Sequence, residues 1–171
     1  MKKKVDRTMI ITTVVCLLPI IFSLMVYDKL PEKVPIHWNG EGVIDNYASK
    51  PVGAFLLPVV MAVVNIITNI CLNNDPRQKN ASKVLKLIGL WTIPCLTIVA
   101  CTITMLSALG HKIHVESITP VFVGILIIIC GNYLPKCKQN YTVGIKLPWT
   151  LNSEENWNKT HRLGGYVWQE D

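Results

Sequence analysis

Four stretches of this chain carry no charged side chain, and they decide its solvent before any motif does. They are residues 8–27 (TMIITTVVCLLPIIFSLMVY), 52–72, 87–109 and 118–134. At about 1.5 Å per helical residue the first three reach the thickness of a hydrocarbon layer of about 30 Å, and the last is shorter, at the lower end of the lengths that transmembrane helices show. Half of all residues are hydrophobic and only 16% are charged, which sets the chain apart from soluble domains. Pro19, Pro58 and Pro94 lie inside these runs; in a bundle neighbouring helices re-satisfy the freed carbonyls, so they predict kinks and not ends. MKKKVDR before the first run suggests a signal peptide, but no small-x-small cleavage site follows, and the run is expected to stay as an anchor. The expected fold is all-α, an integral membrane bundle of four transmembrane helices.

Orientation follows from Lys and Arg. With the N-terminus inside, thirteen of them fall on the cytoplasmic side, from Lys2, Lys3, Lys4 and Arg7 through Arg77, Lys79, Lys83 and Lys86 to the C-terminal segment. Four, Lys29, Lys33, Lys50 and Lys112, fall outside. This asymmetry places both termini in the cytoplasm of a cell (plasma) membrane protein. The net charge of +6 is thus a topology signal, and no direct nucleic-acid contact is expected. The sequons at Asn80, Asn140 and Asn158 would all face inward, where glycosylation does not occur. The six cysteines form no C-x-x-C pair and read as small buried hydrophobes.

The outer loop, DKLPEKVPIHWNGEGVIDNYASK (28–50), is punctuated by Pro31, Pro35, Gly40 and Gly42 and is expected to be extended and turning. It can be an interfacial loop, with Trp38 and Tyr47 at the headgroups. It can equally be a recognition surface, Trp38 giving apolar area and His37, Asn39 and Asp45 giving directional hydrogen bonds. His37, His111 and His114 share the outer side, but no cysteine or H-E-x-x-H accompanies them, and no metal or other cofactor is predicted.

In the second run Asn65 and Asn69 stand four apart on one helix face, which must turn towards other helices; Thr97, Thr102 and Thr104 of the third could answer it. Helix–helix adhesion and a polar path are both open. No Asp, Glu, Lys or Arg lies in any run, against proton-coupled transport. After the fourth run, Asn132 and Pro135 close the helix. Further on, Asn152 reads as an N-cap with Glu155 as its capping-box partner, opening a short cytoplasmic C-terminal helix that Gly164-Gly165 stop. Glu155 reaches Lys159 at i+4 with Arg162 nearby, while Trp157, Thr160, His161 and Gly164 share the other face. That face could rest on headgroups or contact a partner or the bundle's inner mouth. Ser153, Glu154 and His161 sit on divergent faces, so no nucleophile–base pair emerges and an enzyme is not expected.

Two segments carry a resemblance. LPEKVPIHWNGEGVIDNYASK resembles the outer-loop motif of a bacterial membrane domain of unknown function that commonly precedes the SdpI domain. GNYLPKCKQNYTVGIKLPWTLNSEENWNKTHRLGG resembles the SdpI family signature, with Lys146-Leu147 where members typically show Arg-Thr. The implied division is residues 1–109 for the first domain and 110–171 for an SdpI-like segment, its signature over 131–165. The resemblance implies immunity to a secreted antimicrobial peptide toxin, met outside, and signalling in which a transcriptional repressor is held at the membrane inside. It carries over His37, Trp38, Asn39, Asp45, Tyr47, Ser49 and Lys50 as outer candidates. The inner ones are Asn140, Gly144, Pro148, Trp149, Thr150, Glu154, Trp157, Thr160, His161 and Gly164. Members normally continue into further membrane helices after Gly-Gly, so a chain of this length is expected to be a short form or a fragment. A small-solute transporter or channel subunit is the alternative.

Overall fold

The structure, a computed structural model, describes residues 6–77, 80 and 83–168. Lys2, Lys3, Lys4 and Lys79 of the charge count, the Ala-Ser of the first sequon and the last three residues lie outside them. Four long helices form where the apolar runs predict: α1 (Arg7–Val26), α2 (Lys50–Asn73), α3 (Lys83–Ala108) and α4 (Val115–Tyr133). All four are long and apolar enough to cross a membrane. Pro19, Pro58 and Pro94 lie within helices that continue past them, as does Pro120 near the start of α4. Asp6 opens α1, its carboxylate accepting the Thr8 amide at 3.2 Å.

The helices are inside out by the standard of a soluble protein. On α1, Ile10, Ile11, Val14, Ile21 and Leu24 are exposed, while Thr12, Cys16 and Ser23 are buried. Small and weakly polar groups let helices approach where lipid offers no hydrophobic drive, and large aliphatics go to the acyl chains. The cysteines divide by the same logic. Cys16, Cys101 and Cys137 are buried as expected, but Cys71 and Cys95 are exposed and Cys130 half-buried, so burial does not hold for all six. Thiols on an apolar helix surface are accommodated by lipid as readily as by protein.

An all-α expectation fails between α1 and α2. There the chain forms an antiparallel hairpin, β1 (Lys33–Trp38) with β2 (Ile44–Ser49). Pro31 and Pro35 force their neighbours extended, and a two-stranded ribbon tolerates a residue without an N–H. The register runs from Lys33 opposite Ser49 to Trp38 opposite Ile44, with irregularities on both sides of His37. The turn is a tight one. Asn39 and Val43 pair, the Gly42 amide donates to the Asn39 carbonyl, and the Asn39 side-chain oxygen accepts the amides of Glu41 and Val43. The left-handed residue is Gly42, with φ +76°, and not the Gly40 of the Asn-Gly pair. This is the three-residue hairpin loop, a turn closed by one glycine at positive φ.

Two compact units emerge. The first comprises the chain up to Ile66 together with Trp91–Pro120, the second Ile67–Leu90 together with the chain from Val121 onward. In the first, Leu30, Val34, Ala54 and Met105 form a core flanked by Phe22, Tyr27 and Phe55. Gly53 allows β1 to lie directly on α2; a Cβ there would sit 2.5 Å from that of Val34. Asn65 is fully buried and donates to the hydroxyls of Thr12 and Thr13, each at 3.0 Å, partners on α1 that the sequence did not suggest. In the second unit Leu85, Cys137 and Trp157 form the core, with Ile88, Tyr133, Val143 and Leu151 against them. A 3-10 turn over Leu134–Lys136 follows α4, and two short helices come after it, α5 (Pro148–Asn152) and α6 (Glu154–Val167).

Candidate functional site

The outer candidates gather on the hairpin of the first unit. His37 Nδ1 stands 2.6 Å from a carboxylate oxygen of Asp45 across the two strands, in an exposed pair. The irregular pairing around His37 re-aims the strand end, and residues 36–40 present one wall of a cleft of about 370 Å³. Trp38 and Asn39 are in that wall. The other wall is the start of α4, through Val115, Glu116, Thr119 and Pro120. The Glu116 carboxylate lies over Gly42, where a Cβ would come within 2.2 Å of it, and it also meets His114 Nδ1 at 2.8 Å. The cleft thus combines an indole, an amide, an imidazole, a hydroxyl and one carboxylate on an otherwise apolar frame, the mix of apolar area and a few placed polar groups that binding clefts use.

The remaining outer candidates lie elsewhere on the same hairpin. Tyr47 and Ser49 are exposed on β2, and Lys50 places its ammonium 4.8 Å above the Tyr27 ring at the head of α2. Glu116 and Thr119 were missed by sequence reasoning. The available signal was an acidic residue two places after His114, immediately before an apolar run.

The inner signature is a small structure held together by its own polar groups. Trp157 is 0% exposed; its indole N–H donates to the Cys137 carbonyl at 2.7 Å and its ring stacks on His161, centroids 4.0 Å apart. His161 is ligated at both nitrogens. Nδ1–H donates to the Trp157 carbonyl at 2.8 Å and Nε2 accepts the Ile145 amide at 2.9 Å, which fixes the neutral tautomer. Burial pushes its pKa below the ordinary histidine value, although the Trp157 carbonyl favours the proton. Gly144, at φ +114°, passes so close that a Cβ would fall 2.3 Å from His161 Nε2.

Around this pair the segment closes on itself. Asn140 is buried, accepting the amides of Thr142 and Val143 and donating to the Lys138 carbonyl. The buried Thr150 hydroxyl accepts the Leu147 amide and donates towards the Ile145 and Leu147 carbonyls, its one proton serving either. Asp75, from the turn after α2, reaches into the segment: its carboxylate accepts the Thr142 hydroxyl at 2.6 Å and the Tyr141 amide at 3.0 Å, besides the Arg77 amide. Burial opposes its charge, but these donors outweigh it and hold its carboxyl below the usual range. Asp75, Gln139 and Arg77, whose guanidinium bonds to Gln139, were not singled out from sequence.

Three local expectations are corrected here. The helix does not start at Asn152. That residue ends α5, and the cap of α6 is Ser153, whose hydroxyl accepts the Asn156 amide at 3.2 Å. The expected Glu155–Lys159 pair is present at 2.6 Å, on the exposed face of α6. Gly164 and Gly165 do not stop the helix, which runs on to Val167; a Cβ on Gly165 would meet the Pro135 ring at 2.4 Å. They are there for close approach. Finally, the Trp157–His161 face is spent inside the unit, with Thr160 and Gly164 half-buried beside it. Among the inner candidates, Pro148, Trp149 and Glu154 remain exposed.

Residues 14–62 match a family described as a domain of unknown function, DUF1648, and residues 136–169 match the SdpI/YfhL protein family. "Immunity protein SdpI" of Bacillus subtilis (strain 168) is 32% identical over 158 residues, 92% of this chain and 74% of that protein. No solved structure matches. None of these names is that of an enzyme. The hairpin lies inside one match, most of the C-terminal signature inside the other, and four apolar helices are long enough to span a membrane: this is a multi-pass membrane protein, and the chain belongs to the SdpI/YfhL family.

Proposed function

We propose that this chain is an immunity protein that protects the cell membrane against a secreted antimicrobial peptide, and that the peptide is met at the outer cleft. The observation that carries the reading is that cleft. His37, Trp38 and Asn39 are brought against the head of α4, on a hairpin braced by the His37–Asp45 pair. Thirteen basic residues against four support a topology with this hairpin outside and both termini inside. On that topology residues 1–109 form the first domain with the hairpin wall of the cleft, and 110–171 the SdpI-like segment, whose start of α4 gives the other wall. Expression in a sensitive host is the test: tolerance to SDP-like peptides should rise, and Trp38→Ala should remove much of the gain. A buried aromatic anchor is worth about 2 kcal/mol, or about thirtyfold in affinity. Unchanged killing by every such peptide would end the proposal.

A signalling role is supported by one observation, the exposure of Trp149 on the inner segment, 56% accessible beside Pro148. We infer that a repressor held at the membrane would use this indole. Its test is pull-down of a winged-helix regulator from membranes with and without Trp149→Ala. Loss on substitution supports it, and no capture under any condition removes it.

A further inference from the structure

The second unit contains a cleft that neither the outer recognition site nor the buried signature uses. It opens where α4 ends, is about 350 Å³, and is bordered by Asn132 and Lys136 on one side and by Arg162 and Tyr166 of α6 on the other. Its floor exists because of glycine. Gly165 lies on the Pro135 ring and beneath it Gly131 lies under Trp168, where a Cβ would be 2.8 Å from that of Trp168. Two helices that could not otherwise approach so closely bring Arg162 to the end of a membrane helix.

The polar groups at this cleft have little else to hold. Lys136 stands over the Tyr133 ring at 5.1 Å, and among the described residues neither Lys136 nor Arg162 pairs with a carboxylate. Asn132 is exposed beside them. A second observation concerns the outward face of α6. Its first half carries Glu155, Asn156 and Lys159, but its last turns expose Leu163 at 65%, Tyr166 at 63% and Val167. Apolar and aromatic side chains flanking two cations at the end of a spanning helix match the boundary between headgroups and acyl chains.

We propose that this cleft binds the phosphate of an anionic phospholipid, Arg162 and Lys136 taking the phosphate oxygens and Asn132 the glycerol hydroxyls, with Leu163 and Tyr166 against the acyl chains. Guanidinium and ammonium are the donors that phosphate selects, and basic clefts beside spanning helices are where such headgroups lodge. The site is independent of the outer cleft, so toxin tolerance and lipid binding fail separately.

The full chain, purified in detergent and offered equimolar phosphatidylglycerol and phosphatidylcholine, is read by native mass spectrometry. Wild type should retain phosphatidylglycerol in preference. Arg162→Gln and Lys136→Gln should each lower that preference about fivefold, Arg162→Lys should keep most of it, and Lys29→Gln, on the outer loop, should leave it unchanged. Thermal unfolding of each variant in the same detergent verifies folding, and Lys136→Gln carries the test if Arg162→Gln does not fold. A preference that survives the folded variant overturns the proposal. So does displacement of the lipid by soluble glycerol phosphate, which would make a free phosphate the occupant.

Discussion

His161 shows how much one side chain settles when both ring nitrogens are used. A proton on Nε2 would point at the Ile145 amide that this nitrogen accepts, so the charged ring loses a bond and gains a repulsion. Its folded-state pKa lies below the ordinary value, so as pH falls the unfolded chain takes up the proton first. Stability is therefore full above about pH 6.5 and declines below it until the folded ring also titrates. Thermal unfolding followed by tryptophan fluorescence should show this decline, and His161→Gln should flatten it. Asp75 behaves in the opposite range. Its lowered pKa contributes stability above the usual carboxylate value that is lost as pH drops through the acid region. Asp75→Ala leaves the Thr142 hydroxyl and the Tyr141 amide without their acceptor and should cost about 1–3 kcal/mol. None of this was legible in the sequence. Asp75 reads as a turn residue, and His161 as half of an exposed face, because their partners lie 16 and 67 positions away.

At the scale of elements, glycine carries opposite meanings that only packing separates. Gly164-Gly165 satisfy every local rule for a helix stop, yet α6 passes through them; they are glycine because Ile145 and Pro135 occupy the space that side chains there would need. Gly165→Val should therefore unseat α6 and destabilise the unit by overpacking, about 1–3 kcal/mol in a detergent melt. Gly110, with open space around it, should tolerate alanine better in contact terms, although its φ of +88° still favours glycine. In the hairpin, Asn39→Ala removes the acceptor of two loop amides and should cost about 1 kcal/mol. The four long helices could be read in advance because charge-free length is a local property. The hairpin could not. Its strands show no clean alternation, Pro35 within β1 argues against pairing, and its burial comes from β1 lying on Gly53.

For the whole molecule the decisive quantity is orientation. In a cysteine-free background, Tyr47→Cys should react with an impermeant maleimide in intact cells, and Trp149→Cys only after permeabilisation; the reverse pattern would invert the protein. The Asp75 network has a meaning for the order of synthesis as well. The turn after α2 leaves the ribosome long before residues 139–142, which it must hold through Asp75 and Arg77. During that interval its anchoring groups have no partner from the later segment, and the turn is open to water and protease. A nascent chain halted before residue 139 should be cut there, and one carried through residue 167 should resist, so the later segment is what latches the turn after α2.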